Sequence, residues 1–333
     1  MTSHGARSAL IGAAAARLSY AALRKKAPGG SATWSRTNHR GEEVTLLEGP
    51  AVAIGAIAGA LAAGGSTRDR LALTVAGAGA AAFGGYDDLA GNGISKGFRG
   101  HLGALSRGEL TTGAVKIAGI GTTGLAAALI AGAPVDPRRP HGAASGPLAV
   151  ADALINAGLV AGGANLVNLF DLRPGRAVKV ALLTGGLLAS SRRGRAAVAG
   201  PVAAAAALLP EDLDERSMLG DGGANALGAM LGAAAAITLP RTARLGVLAV
   251  IVGLTAASEK VSFTKVIERT GPLRRLDMLG RRPVAHTTTP PTGPGSASPA
   301  PPGAAPAANG TPIGPDQVDS TLATRDQRSA EAR

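Results

Sequence analysis

Long apolar runs alternate with short polar segments along the first 257 residues of the chain. The runs consist mainly of Ala, Gly, Leu and Val, and glycines recur at the four-residue spacing that lets helix backbones approach closely. Several runs are shorter than the roughly 20 residues that span a bilayer, so flanking polar residues must complete those spans. We therefore predict an all-α polytopic membrane protein, a bundle of about nine transmembrane helices. The nine runs lie at 9–23, 50–65, 71–86, 114–133, 147–170, 177–190, 197–209, 224–239 and 245–257.

Composition agrees with a membrane bundle and limits the chemistry. Apolar residues make up 46% of the chain, charged residues 17% and aromatic residues 2%, which excludes an ordinary soluble domain with an aromatic core. The chain has no cysteine, so neither a disulfide framework nor a thiolate metal site can form. Any metal must be held by oxygen or histidine ligands, and carboxylates with water favour Mg2+ or Mn2+.

The formal charge of +12 is spread over the short loops and does not line one face, so we expect no nucleic acid as a partner. Anionic lipid headgroups and phosphorylated substrates suit this pattern better. If the first run crosses from outside to inside, the inner loops up to residue 282 hold 18 Lys and Arg and the outer loops hold nine. The positive-inside rule then predicts a multi-pass protein of the cell membrane in this orientation.

The character of the chain changes at residue 283. Ten of its 21 prolines lie in the last 51 residues, with Ala, Gly, Thr and Ser between them. Such a segment buries too little apolar surface to offset the entropy of ordering it. We predict a transmembrane domain over 1–282 and a disordered tail over 283–333 on the inner side. The polar segment 27–49 is predicted to be a loop.

Carboxylates and amides stand out at three places in this apolar chain. Asp87 and Asp88 end the third apolar run, where hydrocarbon gives way to headgroups and a divalent cation could reach both a lipid phosphate and a water-soluble phosphate ester. Asn165, Asn168 and Asp171 recur every three positions at the end of the fifth run, so we expect them to face one broad side of a helix.

The third place is the glycine-rich stretch around Asp221. Asp221 and Asn225 are four residues apart and are expected to share a helix face, while the glycines allow a phosphate to approach the backbone. The alternation of the runs puts all three places on the inner side of the membrane. Scattered carboxylates would seldom share one side, so we predict that the three places form one site.

At these places the chain resembles the polyprenyl-phosphate N-acetylhexosamine-1-phosphate transferases (glycosyltransferase family 4), the family of phospho-N-acetylmuramoyl-pentapeptide transferase. That family has an Asp-Asp pair closing a transmembrane helix, then an Asn-x-x-Asn-x-x-Asp motif, then a Gly-Asp-x-Gly motif. The resemblance covers roughly residues 8–257. It implies a membrane phosphotransferase that moves a sugar-1-phosphate from a UDP-sugar to a polyprenyl phosphate and releases UMP, as in cell-wall and peptidoglycan synthesis.

The resemblance also implies roles for individual residues on the cytoplasmic side. Asp221 would be the principal magnesium ligand, with Asp87 and Asp88 beside it as a second ligand and a base toward the lipid phosphate. Asn168 and Asp171 would orient the nucleotide, and Asn165 belongs to the same substrate-binding motif. The predicted phosphate contacts, at positions where the family uses other residues, are Lys96, Arg99, Lys260 and Lys265.

Other interpretations stay open from the sequence. The segment 259–269 lacks the histidine cluster of that family, which suggests a catalytically silent relative that binds a lipid-linked sugar or a cell-envelope enzyme. Asp152 and Asn156 inside an apolar run suggest a transporter. Purely structural roles are also open: Asp87 and Asp88 could cap the next element, Asp171 could pair with a nearby arginine, and Asp221 could cap its own helix. A homodimer is open as well.

Overall fold

The computed structural model describes residues 3–91, 106–108, 111–132 and 146–283. These residues belong to one compact unit, Met1–Val284. The predicted tail, 283–333, therefore lies outside the described residues apart from Pro283.

Helices dominate the described part of the chain. Two short strands, β1 (Ser35–Thr37) and β2 (Glu43–Thr45), form the only sheet found there. The helices in chain order are α1 (Ser3–Lys25), α2 (Ser31–Trp34), α3 (Glu48–Leu61), α4 (Thr67–Ala90), α5 (Thr112–Ala131), α6 (Pro147–Phe170), α7 (Arg176–Leu188), α8 (Arg192–Leu213), α9 (Gly220–Thr238), α10 (Arg241–Ser258), α11 (Phe263–Arg269) and α12 (Gly271–Met278).

Within the described residues, a helix covers most of each of the nine apolar runs. Four of these helices, α5, α6, α8 and α10, are long and apolar enough to cross a membrane. The helix α3 is apolar but shorter, with 14 residues. The predicted all-α membrane class is therefore confirmed in its coarse form, with four candidate spans.

The prediction of a loop over 27–49 is wrong. This segment contains α2 and a hairpin in which Ser35 pairs with Thr45 and Thr37 with Glu43. The side-chain oxygen of Asn38 accepts the N–H groups of Arg40 and Glu42, at 2.8 and 2.9 Å, and so closes the turn. An asparagine that bonds its own backbone in this way is a specific turn signal, but the strands beside it are too short to show a pattern.

Contacts between residues far apart in sequence define two ends of the bundle. At one end, which we call the Arg193 end, Arg193 pairs with Asp69 and Arg7 donates to the carbonyl of Ala62. At the other, the Asp221 end, the amide of Asp221 donates to Asp88, and Glu48 accepts from Ser217. The successive helices α3 to α10 thus run alternately up and down the bundle.

The helix α9 lies at the centre of the bundle and is buried on nearly every side, including 17 of its 19 residues. Its glycines permit backbone contact with its neighbours. A Cβ at Gly228 would lie 2.2 Å from the carbonyl oxygen of Gly163, and one at Gly232 would lie 2.1 Å from that of Leu159. These close approaches to α6 leave no room for a side chain at either glycine. Because the two glycines are four residues apart, they lie on one face of α9, and this explains the spacing in the sequence.

We expect Gly228→Val to destabilise the bundle by more than the roughly 1–3 kcal/mol typical of overpacking, because the new side chain would meet backbone that cannot move aside. Thermal unfolding of the detergent-solubilised protein measures this. The matched control is Gly253→Val on α10, where a Cβ would meet nothing within 4 Å. Equal unfolding temperatures for the two variants would contradict the packing of α9 against α6.

Candidate functional site

Two aspartates from different helices converge on one lysine at the Asp221 end. Asp87 lies in the last turn of α4, Asp221 in the first turn of α9, and Lys116 in the second turn of α5. The Lys116 Nζ lies 2.6 Å from Asp87 Oδ2 and also contacts Asp221 Oδ2. The three side chains keep 16–26% of their surface exposed, so the cluster remains open to solvent. The predicted proximity of Asp87 and Asp221 is thus present in the structure.

Asp88 performs a different task from Asp87. Its two carboxylate oxygens accept the backbone N–H groups of Asp221 and Gly222, at 2.9 and 2.8 Å. These are orphan donors at the start of α9, and a carboxylate there also suits the positive end of the helix dipole. Leu219 occupies the cap position of α9 and makes no side-chain cap bond. The cap therefore comes from α4, and the structural interpretation in which Asp221 caps its own helix is wrong.

Glycine makes the contact between α4 and α9 possible. A Cβ at Gly84 would lie 2.3 Å from the carbonyl oxygen of Asp221. Gly220 has a φ of +61°, a backbone conformation that residues with a side chain rarely adopt. Both glycines are needed for the backbone of α9 to begin beside the carboxylates of α4.

The Asn-x-x-Asn-x-x-Asp motif does not present one face as expected. Asn165 is exposed, and its Nδ2 lies 3.2 Å from the Thr255 hydroxyl on α10. Asn168 is half-buried, and Asp171, just beyond the helix, is buried. Each residue of an α-helix turns about 100°, so six residues rotate the side chain to a different face. Of the three residues, only Asp171 is buried.

The pairing of Asp171 with a neighbouring arginine is also not found. Arg173 pairs with Glu268, and Arg176 is bonded to Asp277 at 2.7 Å. In the described part of the chain, Asp171 Oδ2 is buried and has no hydrogen-bond partner. Burial raises the pKa of Asp171 well above its usual value, and the nearby carboxylates, first that of Asp212, raise it further.

Asp171 and Asp212 line a small polar pocket of about 190 Å³ together with the hairpin residues Asn38 and His39. Met218, three residues before Asp221, also lines this pocket. Asp212 Oδ2 is a second buried acceptor without a partner among the described residues. The pocket therefore offers unpartnered carboxyl oxygens to the hydrogen-bonding groups of a ligand.

The predicted phosphate-binding residues divide into two groups. Lys96 and Arg99 lie outside the described residues. Lys260 and Lys265 are exposed near α11, and none of their described contacts reaches Asp87 or Asp221.

Sequence reasoning missed two basic residues at the site. Lys116 was hidden because it stands inside an apolar run, and its only signal was that a lone charge there requires a partner. Arg36 on β1 donates to the backbone carbonyl of Asp88, but it lies in the segment interpreted as a loop. Both bring positive charge to the end of α4.

A buried arginine forms hydrogen bonds with the buried side chains of Asp152 and Asn156. Arg244 on α10 donates to Asn156 Oδ1 and, at 3.1 Å, to Asp152 Oδ1, while Arg241 lies 3.4 Å from Asp152. Removing one partner from such a buried pair is strongly destabilising. These contacts account for the polar residues that had suggested a transporter.

The donor set fits a magnesium ion shared with a substrate. In the part of the chain that is described, no three or more His, Asp or Glu side chains are arranged to hold a metal ion. Two carboxylates, those of Asp87 and Asp221, nevertheless converge on one point, which the Lys116 ammonium marks. Magnesium is commonly bound by one or two carboxylates, waters and substrate phosphates, so this pair suffices.

No protein-family model matches the chain, and no curated protein is significantly similar to it in sequence.

We expect Lys116→Met to tighten Mg2+ binding about tenfold, because the variant loses the cation that neutralises Asp87 and Asp221. Magnesium titration followed by thermal unfolding measures the affinity. The control is Lys179→Met, which removes a half-buried lysine bonded to the Asp277 carbonyl instead. Equal magnesium affinity in both variants would mean that the two carboxylates do not bind the ion.

Proposed function

We propose that this protein is a membrane phosphotransferase that moves a sugar-1-phosphate from a UDP-sugar to a polyprenyl phosphate and releases UMP. The observation that carries the proposal is the convergence of Asp87 and Asp221 on Lys116 at the end of a helical bundle with candidate membrane spans. Joining two phosphate anions requires a cluster that can neutralise charge at a membrane surface. The order of the three sequence motifs supports the same reaction.

In this reaction an oxygen of the lipid phosphate forms a bond to the β-phosphorus of the UDP-sugar. The bond between that phosphorus and the bridging oxygen breaks, and UMP leaves with the electron pair. Asp87 and Asp221 would hold a magnesium ion, which supplies charge neutralisation when bound. Lys116 would turn its ammonium toward the phosphates, and Asp88 keeps Asp221 in place by capping α9, which makes Asp88 a positioning residue.

An apolar groove supports delivery of a lipid substrate. It has a volume of about 550 Å³ and runs between α3 and α4. Small alanines and Ile54 form its walls, and its lining includes Asp88 and Gly222. An isoprenoid chain in this groove would bring its phosphate to the beginning of α9 without leaving the apolar environment.

The small polar pocket beside Asp171 suits the nucleotide. A nucleobase carries N–H donors, and the pocket presents the unpartnered oxygens of Asp171 and Asp212. Its lining includes Met218, which lies three residues before Asp221 in the chain. A base bound there would place its phosphates toward the cluster. Asp171 would thus bind the substrate, whereas Asn165, which bonds Thr255 on α10, would not.

We also propose the finer architecture that this reaction requires. The nine helices that cover the apolar runs would all cross the membrane, with the Asp221 end in the cytoplasm, where UDP-sugars occur. The segment after residue 283 would be a disordered tail. The excess of Lys and Arg in the loops of that end supports this orientation.

A second candidate is a catalytically silent relative that binds a lipid-linked sugar. The observation that favours it is Lys116, whose ammonium already neutralises Asp87 and Asp221 without any metal. A protein of this kind would bind the phosphorylated lipid but would release no UMP.

We expect Asp221→Asn to lower UMP release by several orders of magnitude, because the amide keeps the shape of the side chain and removes the charge that binds a hard cation. The assay uses purified protein, a panel of UDP-sugars, polyprenyl phosphate and magnesium. Asp214→Asn is the control, since Asp214 lies at the same end with its side chain 54% exposed. Asp152→Asn does not serve as a control, because it would weaken the buried pair with Arg244.

Two results would decide against the transferase. Comparable UMP release from wild type and Asp221→Asn would show that Asp221 does not bind the metal ion. No release from wild type with any UDP-sugar, together with lipid binding that persists, would favour the silent relative.

The orientation can be tested separately by cysteine labelling. Because the chain has no cysteine, an introduced cysteine is the only thiol that can react. Ser31 and Ser190 are exposed at opposite ends of the bundle. We expect Ser190→Cys to react with a membrane-impermeant thiol reagent in intact cells and Ser31→Cys to react only after lysis. The reverse result would put the Asp221 end outside, away from UDP-sugars.

A further inference from the structure

A second pocket lies at the Arg193 end, at the opposite end of the bundle from the aspartate cluster. Its volume is about 480 Å³, and residues of α1, α4, α8 and the turn before α4 line it. The rim carries the guanidinium groups of Arg70, Arg192 and Arg193. Among the described residues of its lining, Asp69 is the only carboxylate, so these residues carry an excess of positive charge.

The rim is built in a fixed geometry. Arg193 is bound to Asp69 through two hydrogen bonds, of 2.9 and 3.1 Å, and Asp69 is itself 9% exposed. Arg70 donates to the Thr67 hydroxyl at 3.0 Å. In the part of the chain that is described, Arg192 makes neither a hydrogen bond nor an ion pair, although its neighbours on the rim do. A free guanidinium beside two oriented ones is suited to an anion.

Three helices begin at this pocket, which adds to its positive potential. The first turn of α1, the cap residue Ser66 of α4, and the first residue of α8 all lie in its wall. The positive ends of three helix dipoles therefore point toward one cavity. The helix dipoles and the guanidinium groups therefore both favour an anion in the pocket.

The floor of the pocket is apolar. Leu73 and Ile237 are almost fully buried beneath the rim, with Ala196 and Ala197 beside them. A cavity with a cationic rim above an apolar floor, located where helices end at the edge of an apolar bundle, matches an amphiphile with an anionic head. We propose that this pocket binds the phosphate of an anionic phospholipid at the membrane face opposite the Asp87 and Asp221 cluster.

The test uses dihexanoyl phosphatidic acid and the full chain in a neutral detergent, with binding measured by calorimetry. We expect saturable binding that weakens as salt is added, because the contacts are between exposed charges. Arg192→Gln should bind about tenfold more weakly, as expected for the loss of one charge-assisted contact. Its unfolding temperature without lipid should equal that of wild type, since Arg192 holds no partner in the described fold.

The matched control is Arg195→Gln, one turn further along α8. Arg195 is exposed, bonds only the carbonyl of Ala189 among the described residues, and does not line the pocket, so this variant should bind as wild type does. Equal affinities of the two variants would overturn the proposal. Binding of dihexanoyl phosphatidylcholine as tight as that of phosphatidic acid would also overturn the proposal. Equally tight binding of inorganic phosphate would show that the pocket recognises a phosphate group alone and not a lipid, which would overturn it as well. None of these measurements depends on UMP release.

Discussion

The helix α9 has almost no free face, and the rest of the bundle is arranged around this constraint. Its neighbours cover it through backbone contacts at Gly163 on α6, Gly84 on α4 and Gly49 on α3. The contact at Gly84 brings the end of α4 to the beginning of α9. Asp88 can therefore bond the first amides of α9, and Asp87 can share Lys116 with Asp221. Packing in the apolar region thus fixes the geometry of the polar site.

Charge is confined to the two ends of the bundle or is paired, because an unpaired charge in a low-dielectric interior is costly. Arg244, with 3% of its side chain exposed, bonds both Asp152 and Asn156. At the Asp221 end, buried carboxylate oxygens of Asp171 and Asp212 have no partner among the described residues. At the Arg193 end, the guanidinium groups are in excess.

The apolar runs were sufficient to predict the long helices, because a long apolar run identifies a helix even when its first and last residues are misjudged. They were not sufficient for the hairpin, since β1 and β2 have three residues each and no pattern can be recognised over that length. The rotation of the second motif was also misjudged. A spacing of three residues drifts around a helix, so Asn165 and Asp171 face different surroundings.

The sequence by itself determined the helical class, the candidate membrane spans and the end of the bundle at which Asp87, Asp88 and Asp221 lie, because the alternation of apolar runs fixes these features without any knowledge of packing. Only the tertiary structure decided which atoms meet. Asp88 and Asp221 are 133 positions apart, and Lys116 is the one charged residue of its apolar run. No local pattern could pair them, since the contact depends on how closely the glycines let α4, α5 and α9 approach one another.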